Sequence, residues 1–198
     1  MRGIAIVIPT LDKEKGESAG SLALATSRCD VPVRVIVSHD EKGQGFTKTV
    51  NTGMRQAPDE DICLLNDDIL EFQYGWLEIL RQILYIDPRY GIVGPSGRSA
   101  SAPASKGAPG QFGSQEVGQL SFWCVLVKRE VIDEVGLLDE VFIHYCSDTW
   151  YCRVAREKNW KCVWAKAVYL KHRHHGSGIP GEWKLHDRKI YAERRGTL

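Results

Sequence analysis

The sequence predicts an α/β domain with a mostly parallel central sheet flanked by helices, and three observations lead there. Ile4-Ala5-Ile6-Val7-Ile8 is an unbroken apolar run rich in β-branched residues, as expected of a strand covered on both faces. Val33-Arg34-Val35-Ile36-Val37 and Ile62-Cys63-Leu64-Leu65 read as two more strands, and residues at helical spacing lie between the three. Each run ends in polar residues: Pro9-Thr10, Ser38-His39-Asp40 and Asn66-Asp67-Asp68. In an open α/β sheet such strand ends are where ligands bind.

Taken in order, residues 13–17 are charged, contain Gly16 and read as a loop. Ser18 then offers an N-cap for a short helix to about Arg28, with Ala19, Leu22 and Ala25 on one side. Asp30 and Pro32 break it before the second strand, and Gly43 and Gly45 mark the loop after that strand. Phe46, Val50, Met54 and Ala57 recur at helical spacing, leaving Lys48, Asn51 and Thr52 on other faces. Beyond the third strand, Trp76, Leu77, Leu80, Ile83 and Leu84 predict an amphipathic helix stopped before Pro88, and Gly91-Ile92-Val93-Gly94 a short strand. The alternation predicts a doubly wound, Rossmann-like nucleotide-binding domain with right-handed crossovers.

Residues 96–119 are rich in Gly, Ser, Ala and Pro and read as one long loop, a lid or binding segment unless it is a plain insertion. A strand at 120–127, a helix at 129–135 and a turn at 136–140 follow. Ser147-Asp148 reads as the cap of a helix to about Lys158, with Val154 and Ala155 turned inward. Residues 161–164 and 168–172 read as edge strands, and alternation puts Val168, Leu170, His172 and His174 on one face of the second. The domain therefore spans 1–178, and 179–198 forms a polar tail packed on it through Trp183 and Tyr191.

Composition bounds the function. With 198 residues, 43% of them hydrophobic, the chain can bury one substantial core, and a net charge of +1 gives no support to nucleic acid as a partner. Six cysteines sit mostly in apolar runs, as reduced buried thiols do, although Cys146, Cys152, Cys162 and the late histidines compose an alternative zinc set. The chain shows neither a signal segment nor a membrane-spanning apolar run, so a cytoplasmic protein is expected.

Two adjacent carboxylates at the end of a buried strand, Asp67 and Asp68, are costly unless something pairs them. A hard divalent cation held by one or two carboxylates and the phosphates of a substrate fits that place, and a solvated Asx turn is the plain alternative.

Over residues 4–178 the chain resembles the family-2 glycosyltransferases of GT-A fold, particularly the small rhamnosyltransferase-like members. The resemblance rests on Ile6-Val7-Ile8-Pro9-Thr10, on Asn51-Thr52-Gly53, on Leu64-Leu65-Asn66-Asp67-Asp68 and on Trp76-Leu77. It continues through residues 91–95, the turn Val135-Gly136-Leu137-Leu138-Asp139-Glu140, and Ser147-Asp148. Asn66 replaces the first Asp of the metal motif, Ser147 replaces a Glu, and Trp150 stands where a second Asp is common.

The resemblance implies a metal-dependent inverting transferase that moves a sugar from a nucleoside diphosphate sugar, UDP- or dTDP-linked, to a hydroxyl acceptor such as a glycan. It implies that Pro9, Thr10, Asp12, Asp40, Asn51, Asn66 and Asp67 line the donor site, with Lys48 reaching a phosphate or else only solvating its helix, and that Asp68, with His172 or His174 unless these are structural histidines, holds Mn²⁺ or Mg²⁺. Asp148 would be the catalytic base and Trp123 an acceptor contact, against plain readings as a helix cap and a core aromatic. Two rival readings remain: a degenerate domain that binds nucleotide sugar or glycan without turnover, and a sugar-phosphate nucleotidyltransferase. The second is disfavoured because no Gly-rich phosphate loop follows the first strand.

Overall fold

The computed structural model describes residues 2–95, 113–173 and 179–196. Its first half alternates strand and helix: β1 (Ile4–Thr10), α1 (Lys13–Ser27), β2 (Val33–His39), α2 (Phe46–Met54) and β3 (Asp61–Leu65). A short β4 (Ile69–Phe72), α3 (Trp76–Leu84) and β5 (Tyr90–Pro95) follow. The second half holds β6 (Ser114–Val117), β7 (Cys124–Val127), α4 (Arg129–Val135) and α5 (Ser147–Glu157). It ends with β8 (Lys161–Ala165), β9 (Leu170–His172) and α6 (Gly181–Arg195).

Seven strands form one sheet in the order β2-β1-β3-β7-β5-β8-β6, and β4 pairs with β9 in a separate two-stranded sheet. The large sheet is mixed, which corrects the expectation of a mostly parallel one. β1 pairs in parallel with β2 and β3, and β5 with β8, but β7 runs antiparallel to both β3 and β5, and β6 antiparallel to β8. Since β7 is reversed, its first residues lie at the same edge as the last residues of β3, with Leu65 opposite Cys124.

Alternation along the strands divides the core into two layers. Ile4, Ile6, Ile8, Cys63 and Leu65 pack with Ala19 and Ala23 of α1 and Trp76, Leu77, Leu80 and Leu84 of α3. Ala5, Val7, Ile62 and Leu64 face the other way, toward Val50 and Met54 of α2, Val131 and Ile132 of α4, and Tyr151, Cys152 and Ala155 of α5. Helix α2 lies so close to β1 that a Cβ on Gly53 would sit 2.4 Å from Val7 Cγ1.

Several boundaries differ from the sequence reading. Helix α1 starts at Lys13, not Ser18, because the Asp12 carboxylate accepts the Lys15 N–H and caps it; Leu22 is exposed, while Gly16, Ala19, Gly20 and Ala23 are buried. The segment read as one loop contains β6 at its end, and residues 96–112 lie outside the described residues. β8 is flanked by β5 and β6, so it is not an edge strand. β9 pairs with β4, a strand too short to be read from pattern. The segment read as a tail carries the 15-residue helix α6.

Gly53→Ala is expected to destabilise the protein by about 1–3 kcal/mol through overpacking against the buried Val7, read as a lower urea midpoint at unchanged slope. Gly181→Ala, whose Cβ would meet nothing within 4 Å, is the control and should leave the midpoint in place.

Candidate functional site

The ends of β1, β2 and β3 open into one cleft of about 490 Å³. It gathers seven of the predicted site residues: Pro9, Thr10, Asp12, Asp40, Asn66, Asp67 and Asp68. Each carboxylate there has a definite partner. Asp12 caps α1, accepting the Lys15 N–H at 3.1 Å. Asp40 is buried at the end of β2 and accepts the N–H groups of Gln44 (2.8 Å) and Gly45 (2.9 Å), which shapes the turn into α2. Asp67 turns back toward β1, where the Thr10 hydroxyl donates to it at 2.6 Å and Lys15 Nζ lies 2.7 Å away.

Asp68 has a different set of partners. His172 Nε2 lies 2.8 Å from Asp68 Oδ1, and the Arg173 N–H donates to the Asp68 carbonyl at 2.9 Å. The β4–β9 pairing sets this register, with Ile69 opposite His172. The His172 ring is stacked on Trp123, centroids 5.0 Å apart and planes within 5°. The Trp123 carbonyl accepts the Asn66 N–H at 2.8 Å. Trp123 therefore braces the histidine and the end of β3, and does not line the cleft.

Asp148 sits in the first turn of α5 and does not act as its cap; Cys146, in the left-handed conformation at φ 64°, holds that position. Burial pushes the Asp148 carboxyl above its ordinary value, opposed by hydrogen bonds from Thr149 and from the Phe122 N–H. Asp148 does not line the cleft, but its partner Phe122 adjoins Trp123, so a run of contacts joins it to His172 and Asp68. Two further predicted residues lie away from the cleft. The Asn51 side chain bridges to Leu138, donating to its carbonyl at 2.8 Å and accepting its N–H at 3.0 Å, because a buried amide needs such partners. Lys48 is exposed on α2 on the side of Glu140. His174 falls outside the described residues.

The cleft also holds residues that the sequence reading missed: Lys15, Phe46, His144, Arg173 and Trp183. Lys15 was legible had Asp12 been taken as the helix cap. His144 had no local signal, since it arrives on an irregular segment that α6 holds. The fully buried Asp187 of α6 accepts the N–H groups of Ile143 (2.9 Å), His144 (2.8 Å) and Tyr145 (2.7 Å). Burial raises the Asp187 pKa, but these bonds and His186 outweigh it and hold the carboxyl below its ordinary value. Burial pulls the His144 pKa down, so its ring is neutral at pH 7.

Among the described residues no group of three or more His, Cys, Asp or Glu could hold a metal ion, which also leaves the cysteine set without support there. Asp68 and His172 compose a two-residue donor pair, which suits a hard cation that takes its remaining ligands from substrate phosphates and water.

No protein-family model and no curated protein matches the chain. Solved structures do. The crystal structure of GalNAc-T7 with UDP, GalNAc and Mn²⁺ superposes at a TM-score of 0.66 and 11% identity, covering 97% of this chain and 48% of that one. The mannosyltransferase PcManGT from Pyrobaculum calidifontis, in complex with GDP-Man and Mn²⁺, gives 0.63 and 14%, over 93% of this chain and 60% of that one. A197 from STIV gives 0.52 and 10%, over 88% and 87%. The chain has a GT-A-like fold. It spans about half the length of GalNAc-T7 and three fifths of the mannosyltransferase. Among the described residues no helix is long and apolar enough to cross a membrane.

Asp187, with its pKa depressed in the folded state, contributes stability that is present above the unfolded value of about 3.9 and lost as pH falls through the folded value. Asp187→Asn should therefore be less stable than wild type at pH 7, and urea midpoints should show that difference shrinking below pH 4.

Proposed function

We propose that the chain is a glycosyltransferase that binds a nucleoside diphosphate sugar in this cleft and passes the sugar to a hydroxyl acceptor, a glycan being the preferred class. One observation carries the reading: three strand ends converge on a single cleft at whose rim Asp68 adjoins His172. The GT-A-like fold supports it, since two of the matched structures are described with nucleotide or nucleotide sugar and Mn²⁺.

In this reading Thr10, Asp12 and Asp40 bound the nucleoside, and Asn66 with Asp67 the ribose side. Lys15, already beside Asp67, brings positive charge to the diphosphate. Asp68 and His172 would hold a divalent cation, Mn²⁺ or Mg²⁺, which when bound supplies Lewis-acid neutralisation of the departing diphosphate. Asp148 accepts the acceptor proton during a direct displacement that inverts the anomeric carbon, and burial keeps its carboxylate basic enough to do so. Family-2 membership is part of the proposal, on the motifs read from the sequence.

A second reading, binding without turnover, is favoured by the position of Asp148 outside the cleft lining and by its backbone partners. Release of nucleoside diphosphate from UDP-, dTDP- and GDP-sugars with and without Mn²⁺ separates the two. Metal-dependent release supports the enzyme, and donor binding without release supports the module. Asp68→Ala should abolish the metal dependence. Asp148→Asn should lower transfer by about 10²–10⁴ with donor binding intact. A positioned base must be ionised, so the rate of the wild type should rise with pH through a value above the ordinary aspartate pKa of about 3.9. Full activity in Asp148→Asn defeats the base assignment.

A further inference from the structure

Two residues in the cleft, His144 and Trp183, have no part in the chemistry above, yet one buried side chain builds both into the wall. Asp187 gathers three successive backbone N–H groups at 143–145, so the segment that carries His144 cannot shift without leaving them unpaired. The same segment is pressed onto the start of α2. Gly45, at φ 95°, leaves room for Ile143, where a Cβ would stand 2.6 Å from its carbonyl oxygen, and the Thr47 N–H donates to that oxygen at 3.1 Å. Phe46 then meets the His144 ring edge-on, centroids 5.8 Å apart. Asp187 lies one helical turn beyond Trp183, so the carboxylate that pins α6 also fixes where Trp183 enters the cleft.

The result is a cleft lining that contains three flat rings, Phe46, His144 and Trp183, the first two in edge-on contact at the α2 start, where Asp40 holds the Gly45 N–H. These rings are distinct from the Asp68–His172 rim. A neutral, planar surface recognises a heterocycle by stacking and gives little to a phosphate.

We propose that Asp187 is a positioning residue for donor recognition, holding His144 and Trp183 as the aromatic wall that takes the nucleobase of the nucleoside diphosphate. This rests on the donor reading, so the probes separate the two: UDP, dTDP, GDP and inorganic pyrophosphate, each with Mn²⁺, titrated by calorimetry. Trp183→Ala and Asp187→Ala should weaken the preferred nucleoside diphosphate roughly tenfold or more, the scale of one lost stacking contact, and leave pyrophosphate within about twofold. Trp183→Phe keeps a ring and should bind as wild type, while the change in tryptophan emission on adding nucleotide diminishes. Because Trp183 is half-buried in the first turn of α6, its replacement tests the wall even if Asp187→Ala fails to fold.

If the wild type takes up none of the three nucleotides, the donor reading falls and this inference with it. If it binds one of them and folded Trp183→Ala binds equally well, or loses pyrophosphate in the same proportion, the aromatic wall alone is overturned.

Discussion

The contact of Asp67 with Thr10 and Lys15 decides how the end of β3 meets the cleft. Two neighbouring carboxylates at a strand end repel each other, and a cation beside one of them relieves that repulsion. Thr10 ends β1, and Lys15 lies in the first turn of α1, so the pair that neutralises Asp67 is supplied by the first βα unit. Asp68, in the lining of the same cleft, is paired instead with His172, which β9 brings. The pair at the rim therefore depends on a partition of charge settled at β1.

That partition also depends on close packing under α1. Cβ atoms on Gly16 and Gly20 would stand 2.8 Å and 2.6 Å from side chains of Thr10, Val37 and Val35, so these two positions of α1 must lack side chains for the helix to lie this close to the sheet. The charged run at residues 13–17 with Gly16 in it reads as a loop in the sequence. Buried against the sheet, Gly16 is the residue that lets the helix approach. The apolar runs of β1 and β3 were legible for the opposite reason: burial on both faces leaves a continuous signal that needs no knowledge of partners, while β2, at the sheet edge, was legible from its β-branched residues alone. Asp67 and Asp68 were legible with them, as charges at the end of such a run. The reversed β7, the short β4 and β6, and the place of β8 were not. Antiparallel insertion and short-strand pairing are settled by contacts far apart in the chain, such as Leu65 with Cys124 and Ile69 with His172.

The two-stranded sheet makes His172 more than an incidental neighbour. Side chains alternate across a strand, so a slip of one residue in the β4–β9 register would turn Lys171 or Arg173 toward Asp68 and His172 away. Three things oppose that slip: burial of Val168 and Leu170 on the same face as His172, stacking of Trp123 on the imidazole, and the Arg173 N–H bond to the Asp68 carbonyl. Trp123 in turn ties this edge to Phe122, whose N–H reaches Asp148. Two carboxylates eighty positions apart are thus joined through a run of backbone and ring contacts.

The C-terminal helix is fastened by a residue that composition does not single out. Counted by residue type α6 is polar, with Leu185 exposed, and the sequence offers only Trp183 and Tyr191 as apolar anchors. Its attachment comes instead from one ionised side chain at zero exposure, held by N–H groups that no other element satisfies in the described structure. Hydrophobic patterning cannot reveal such an anchor, because its strength comes from converging donors and not from apolar area. Arg194 adds to it by pairing with Asp139 and lying over Trp150. The helix is therefore fastened by polar and cation–π contacts to the residues on either side of Phe142, and it contributes Trp183 to the lining of the cleft.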